Sequence, residues 1–442
     1  MASAGESGIL LFLGNEDTGM NYMDNTYEFR QDSTFLYYFG LDYAGFSAII
    51  DLDNGVDTVF ADDITVEDIV WMGVQPSLAE KCSMAGITSI QPKNALPDAL
   101  KKALASGRKI HFLPPYRAEH ILKLRDWAEY PVAQPSIPFI RAVVNMRNYK
   151  TEEEIAQIEE AVDITAEMHL SMMRNVRPGM KESDIAAEVT RIALALGSGL
   201  SFPVIATRNG QTLHNHYHGN TLKEGDLFLL DAGAENHMHY GGDLSSTVPV
   251  SGKFTERQKM IYDMALDAHM AAVHALRPGV AFKDVHIKAA TVISERLKSI
   301  GLMKGDPAEA AVSGAYAMFF PCGLGHMMGL DIHDMENLGE VWVGYDGVPK
   351  STMFGFKSLR LARKLEPGFV LTIEPGIYFI PELIDQWKSQ KKFEEFLNYS
   401  EIEKFKDFGG LRNEEDYLIT EDGYRRLGKY VPMTTDEVEA MR

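Results

Sequence analysis

The chain has 442 residues, 45% of them hydrophobic, which is enough for two or three packed domains. Its formal net charge of −20 repels nucleic-acid phosphates and anionic lipid, so neither is expected as a partner. Two cysteines, Cys82 and Cys322, exclude a disulfide framework. The apolar run Ile9 to Leu13 is too short for a signal core, and no run approaches the roughly 20 apolar residues of a membrane span. A soluble cytoplasmic protein is therefore expected.

The first predicted elements alternate. Strand-like runs such as "GFSAIIDLD" and "DTVFADD" are interleaved with helical stretches such as "AEHILKLRDWAEY", an α/β pattern. A second unit opens near Asn145–Lys150, which sets domains of 1–147 and 148–442. Thr151 with Glu154 reads as a capping box, and apolar residues then recur at helical spacing.

The second unit repeats itself. Asp163 to Ile185 matches Asp263 to Val285 without a gap, at an offset of 100. His169 falls on His269, Arg177-Pro178-Gly179 on Arg277-Pro278-Gly279, and Asp184 on Asp284. Each Pro-Gly step closes one helix, and another follows. Duplicated halves about a pseudo-twofold axis are expected, with a site between them.

Next comes "LLDAGAENHMHYGGDLSS", with Asp231 and Asp243 twelve residues apart. An even separation puts both on one strand face. In a hairpin centred on His237 they would stand opposite one another, about 4.5–5.5 Å apart at Cβ. Two bare carboxylates there repel, and a divalent cation removes the repulsion. Two solvated turn aspartates fit this stretch equally well. Three later clusters weigh against that reading. "GLGHMMGLDIHD" carries His326 and His333 in a glycine-marked apolar run. "LEPGFVLTIEPGIYF" ends an apolar strand on Glu374, where an ionised carboxylate is costly unless paired or metal-bound. "FGGLRNEEDYLIT" places Arg412 and Glu414 two apart on one strand face, where the arginine can serve the carboxylate. Four carboxylates and one imidazole suit Mn²⁺, with Zn²⁺ or Co²⁺ as alternatives. They exceed the needs of one ion and fit a two-metal hydrolytic site.

These segments, in this order, resemble the pita-bread metallopeptidases, in the proline-directed branch that contains prolidase (Xaa-Pro dipeptidase) and aminopeptidase P. "YEFRQDSTFLYYFGL" is similar to the opening of the family's N-terminal domain, and the 100-residue repeat fits its duplicated halves. The resemblance implies an N-terminal α/β domain and a C-terminal pita-bread domain of α+β type, binding two divalent ions per subunit. It implies that Asp231 chelates one ion, that Asp243 and Glu414 bridge, and that His326 and Glu374 bind the second. Glu374 would also take a proton from the attacking water. His214 and His333 would hold substrate and stabilise the developing oxyanion, with His216 and His218 open as alternatives to His214. Arg412, counted among the substrate-binding residues, would orient Glu414. The segment "SLRLARKLEPG" looks more like prolidase than aminopeptidase P. It implies that Arg360 captures the C-terminal carboxylate of a dipeptide; a solvated arginine in a basic run is the bland alternative. The implied partners are short proline-containing peptides and a second copy of the chain, as a homodimer.

Two features depart from the family pattern. The step from Asp231 to Asp243 is twelve where the family has eleven, so a bulge or longer turn is expected near Asn236-His237 or Gly241-Gly242. Cys322 stands where the family often has a histidine. Two rival readings are an aminopeptidase P acting on longer peptides and a non-catalytic peptide-binding pita-bread protein. The second relies on lost ligands, as does a metal-free hydrolase of the creatinase type, and all five are present here.

Overall fold

The computed structural model describes Met1 and residues 5–442. They form two compact units, Met1–Met146 and Arg147–Arg442, each with helices and sheet.

In the first unit, β1 (Ile9–Leu13), β2 (Ser47–Asp51) and β3 (Val56–Phe60) form an antiparallel meander. β4 (Ser89–Gln91) and β5 (Ile110–His111) add in parallel at its two edges. The runs "GFSAIIDLD" and "DTVFADD" become β2 and β3. Their turn is held by the Asp51 carboxylate, which accepts the Asp53 and Asn54 N–H groups, and by Gly55 at φ +67°. Ile9, Leu11, Ile49 and Phe60 pack with Leu100, Phe112 and Leu124 into one core. Leu124 comes from the helix Ala118–Ala128.

The second unit contains the repeat as two helix pairs, Glu152–Asn175 with Glu182–Leu196 and Glu256–Val273 with Phe282–Ser299. Each pair is joined by the Pro-Gly turn, with Gly179 and Gly279 at φ +92° and +84°. The equivalence extends to hydrogen bonds. The Gly179 N–H donates to the Leu222 carbonyl and the Gly279 N–H to the Leu365 carbonyl, both at 2.8 Å. Each turn thereby grips the segment leading into a strand. Each long helix also buries its repeat histidine under a sheet. His169 contacts Ser246 Oγ at 2.9 Å and the Ala232 carbonyl at 3.0 Å, and His269 contacts Tyr417 Oη at 3.2 Å.

β6 (Gly199–Leu200) pairs with β9 (Ala234–Glu235). β7 (Ile205–Thr207), β8 (Leu227–Ala232) and β10 (Leu244–Pro249) form one antiparallel sheet in the order β10-β8-β7. β11 (Val370–Ile373) and β12 (Gly376–Tyr378) lie either side of Glu374. β13 (Gly410–Arg412) pairs with β12, while β14 (Glu415–Ile419) pairs with β11 and with β15 (Tyr424–Arg426). A bridge between Ser245 and Glu414 links the halves. Among the described residues, no helix is long and apolar enough to cross a membrane.

The hairpin register differs from the expected one. Asp231 faces Ser245, Ala232 faces Leu244 and Glu235 faces Gly241, so the centre is Met238 and not His237. The extra residue is absorbed without a bulge, in a tip of residues 236–240. There the Asn236 side-chain oxygen accepts the N–H groups of Met238 and Tyr240, and His239 is left-handed at φ +64°. Asp243 is thus a diagonal neighbour of Asp231, still on the same face because the shift is even.

Candidate metal centre and substrate cavity

β8 reads Leu-Phe-Leu-Leu-Asp-Ala and is buried throughout, so its apolar run delivers the Asp231 carboxylate into the interior. Asp243 is held from outside its own ladder: its N–H donates to Asp416 Oδ2 at 3.0 Å. Its Oδ1 is buried without a hydrogen-bond partner. His326 is clipped to the neighbouring strand, its N–H donating to Thr372 Oγ1 at 3.2 Å and its carbonyl accepting the Thr372 N–H at 3.0 Å. The His326 Nδ1 lies 3.1 Å from the Met327 carbonyl, which assigns the ring proton to Nδ1 and leaves Nε2 as an electron-pair donor. That Nε2 is 3.5 Å from Asp243 Oδ2 and 3.6 Å from Glu374 Oε1. Glu414 is fixed by its N–H to the Ser245 carbonyl at 3.0 Å and accepts from Ser245 Oγ at 2.7 Å.

Ligand atoms of Asp243, His326 and Glu414 all lie within 4.8 Å of one another, and all three residues are buried. Asp231 and Glu374 border the same cavity of about 300 Å³. The electrostatics match a centre made for cations. Burial drives Glu414 well above the ordinary carboxylate range, and Asp243, Glu374 and Asp231 push it further. Burial lifts Asp231 to about 7 against the pull of Arg412, and it lifts Glu374 as well. For His326, burial works against the proton, but the Asp243 and Glu374 carboxylates outweigh it and the net shift is upward. Three buried carboxylates and the half-buried Glu374, with an orphaned oxygen and a lone-pair imidazole, fit divalent cations.

The rest of the cavity wall carries His214, His216, Cys322, His333, Arg360 and Arg412, beside an apolar stretch that includes Phe202, Pro203, Ile205 and Leu213. The His333 ring stands edge-on to His326, with centroids 4.5 Å apart, and its Nδ1 is 2.5 Å from Glu336 Oε2. Burial and the His326 charge hold His333 below its ordinary value. Arg360 Nε lies 3.3 Å from Glu336 Oε2.

Residues 156–421 match metallopeptidase family M24, and residues 1–111 match the aminopeptidase P N-terminal domain. The chain belongs to metallopeptidase family M24. This M24 peptidase is 30% identical to the human Xaa-Pro dipeptidase over 98% of its own length and 88% of that protein. Its fold is similar to Pseudomonas aeruginosa aminopeptidase PepP, with a TM-score of 0.80 and 26% identity over 99% and 94% of the two chains. A glutamate-to-alanine variant of Escherichia coli aminopeptidase P in complex with substrate superposes with a TM-score of 0.79 at 26% identity, over 100% and 95% of the chains. The M24 domain and its N-terminal companion are those of the pita-bread proline peptidases.

Within this M24 peptidase, the expected site residues all border one cavity. His214 is exposed there without a hydrogen-bond partner among the described residues. His216 Nδ1 is 3.4 Å and His218 Nε2 3.1 Å from the Val204 carbonyl, and His218 borders a different groove. The role expected for Arg412 is corrected. Among the described residues it makes no hydrogen bond or ion pair with Glu414, and the two do not share a strand, because β13 ends at Arg412 and β14 begins at Glu415. Its Nη2 pairs with Asp231, its Nη1 donates to Tyr378 Oη at 2.8 Å, and its Nε donates to Ser245 Oγ at 2.9 Å. Among the described residues, its hydrogen-bond link to Glu414 runs through Ser245. Cys322 is half-buried beside Tyr378 and Glu374, and its loss of water contact drives its thiol up to about 12, so it stays protonated.

Four residues escaped the sequence reading: Ser245, Tyr378, Asp416 and Glu336. Ser245 lies two residues beyond Asp243 and Asp416 two beyond Glu414, so the alternation of a strand pointed to both. Tyr378 and Glu336 carried no such signal.

Proposed function

We propose that this M24 peptidase hydrolyses Xaa-Pro bonds with two divalent cations per subunit, and that its preferred substrates are dipeptides. The observation that carries the dipeptide reading is Arg360 on the wall of the cavity that holds the five candidate ligands. Its Nε edge faces Glu336, while its two Nη nitrogens make no hydrogen bond among the described residues. A guanidinium with a free fork suits bidentate capture of a carboxylate. The apolar wall suits a pyrrolidine ring, and the acidic centre suits a free N-terminal ammonium.

Asp231, Asp243, His326, Glu374 and Glu414 would hold the cations, which supply Lewis acidity and make a water acidic at neutral pH. Glu374 would accept a proton from the attacking water, with its own affinity raised by burial. His333 and His214 orient the scissile carbonyl and face its developing charge. Arg412 keeps Asp231 in place, and Arg360 holds the substrate's far end. All of these residues lie within 148–442. Mn²⁺ as the native metal, a homodimer and a cytoplasmic location complete the reading.

The test compares Ala-Pro with Ala-Pro-Ala in the presence of Mn²⁺. Faster turnover of the dipeptide is expected, and Arg360→Ala should cut its kcat/KM by roughly 10- to 100-fold, the worth of a charge-assisted pair. A preference for the tripeptide that survives Arg360→Ala would reassign the enzyme as an aminopeptidase.

A further inference from the structure

Glu336 is absent from the proposed chemistry, yet it touches two of its residues. The chain reaches it through Met335, a buried methionine in the left-handed region at φ +57°, where a side chain other than glycine is uncommon. This bend turns the segment back, and the Glu336 N–H donates to the His333 carbonyl at 3.1 Å. One carboxylate oxygen then serves both neighbours. Glu336 Oε2 is 2.5 Å from His333 Nδ1 and 3.3 Å from Arg360 Nε.

Arg360 has a second acidic neighbour, Glu340 Oε1 at 3.6 Å. Glu340 is already paired with Lys350. Glu336 is therefore the anion whose charge remains to act on Arg360. Its carboxyl is held down at about 2, first by the hydrogen bond to His333 and then by Arg360, so it is ionised at every working pH.

We propose that Glu336 determines specificity at this site: its charge on the Nε edge of Arg360 weakens that arginine's hold on a free C-terminal carboxylate, and so keeps the cavity open to extended or blocked peptides. The inference rests on the reading of Arg360 as the carboxylate clamp. An incoming carboxylate at the Nη end meets a guanidinium already half neutralised and feels the repulsion of Glu336 a few ångströms behind it. The pair is partly exposed, so the effect is modest and falls with salt.

The experiment measures kcat and KM for Ala-Pro and for Ala-Pro-amide at fixed Mn²⁺, in wild type, Glu336→Gln and Arg360→Ala. Glutamine keeps an acceptor oxygen for both neighbours and removes only the charge. Glu336→Gln should lower the KM for Ala-Pro about fivefold, leave the amide's KM within about twofold, and lose part of that gain at high salt. Equal changes for acid and amide, or a higher KM for the acid, would overturn the proposal. Arg360→Ala should abolish the preference for acid over amide. If that preference survives, the clamp itself falls and the role of Glu336 with it. If it is abolished while Glu336→Gln leaves the ratio unchanged, only the role of Glu336 falls.

Discussion

The stabilisation that a divalent cation confers should grow with pH, and Asp231 shows how one carboxylate contributes to it. Asp231 has an ordinary value of 3.8 and is raised to about 7 by burial. A raised carboxylate binds a proton in the folded state that the unfolded chain has released. Its contribution to the metal-free protein is complete below about pH 4 and is lost as pH climbs through 7. A cation needs that oxygen deprotonated and must displace the proton. Between pH 5 and 7 the displacement becomes easier by about 1.4 kcal/mol per pH unit, close to 3 kcal/mol in all. Glu374 and Glu414 act in the same direction. His169 and His286, pushed by burial down to about 4 and 3, act with the opposite sign as pH rises to 6.5. They contribute equally with and without metal, so the difference isolates the ligand set, in which His326, its proton held more tightly by Asp243 and Glu374, acts in the same direction. The assay is the melting temperature of the full chain, chelator-stripped and with saturating Mn²⁺, at pH 5, 6, 7 and 8. The Mn²⁺-induced rise in Tm should be larger at pH 7 than at pH 5 by roughly 3–5 °C. Asp231→Asn should reduce that dependence to the part that the remaining ligands supply. A metal increment that is independent of pH, or a slope unchanged in Asp231→Asn, would refute the reasoning.

Arg412→Met should cost about 3–5 kcal/mol in denaturant unfolding of the metal-free protein, because Asp231 and Ser245 lose their buried donor; saturating Mn²⁺ should recover much of it. Gly325→Ala would place a methyl carbon 2.0 Å from the Thr372 carbonyl oxygen, on the strand that clips His326. It should lower Mn²⁺ affinity at least about tenfold by calorimetry and cost about 1–3 kcal/mol of stability, whereas an unchanged affinity would show that the His326 clip is not needed.

Much of the site was written locally. The apolar run before Asp231, the Pro-Gly turns 100 residues apart and the apolar strand ending at Glu374 each follow from side-chain periodicity and from the conformational limits of proline and glycine. Those signals belong to short segments, and short segments are what a sequence exposes. The expected residues accordingly border one cavity. Asp231 does not face Asp243 because a hairpin's register depends on its tip, and the bonds of Asn236 that shape it form only in the folded turn. Arg412 was paired with Glu414 because the two are close in sequence. Its partners Asp231 and Tyr378 are 181 and 34 residues away.

The sequence alone determined the chemistry on offer: four carboxylates and an imidazole in apolar surroundings, a duplicated scaffold to bring them together, and an acidic surface that turns away polyanions. Tertiary structure decided which oxygen meets which donor. Asp416 holds the Asp243 backbone, Ser245 links Arg412 to Glu414, and Glu336 leans on both His333 and Arg360. Each of those contacts joins atoms across strands or through a left-handed bend, where packing and backbone geometry set the distance and no residue pattern records it.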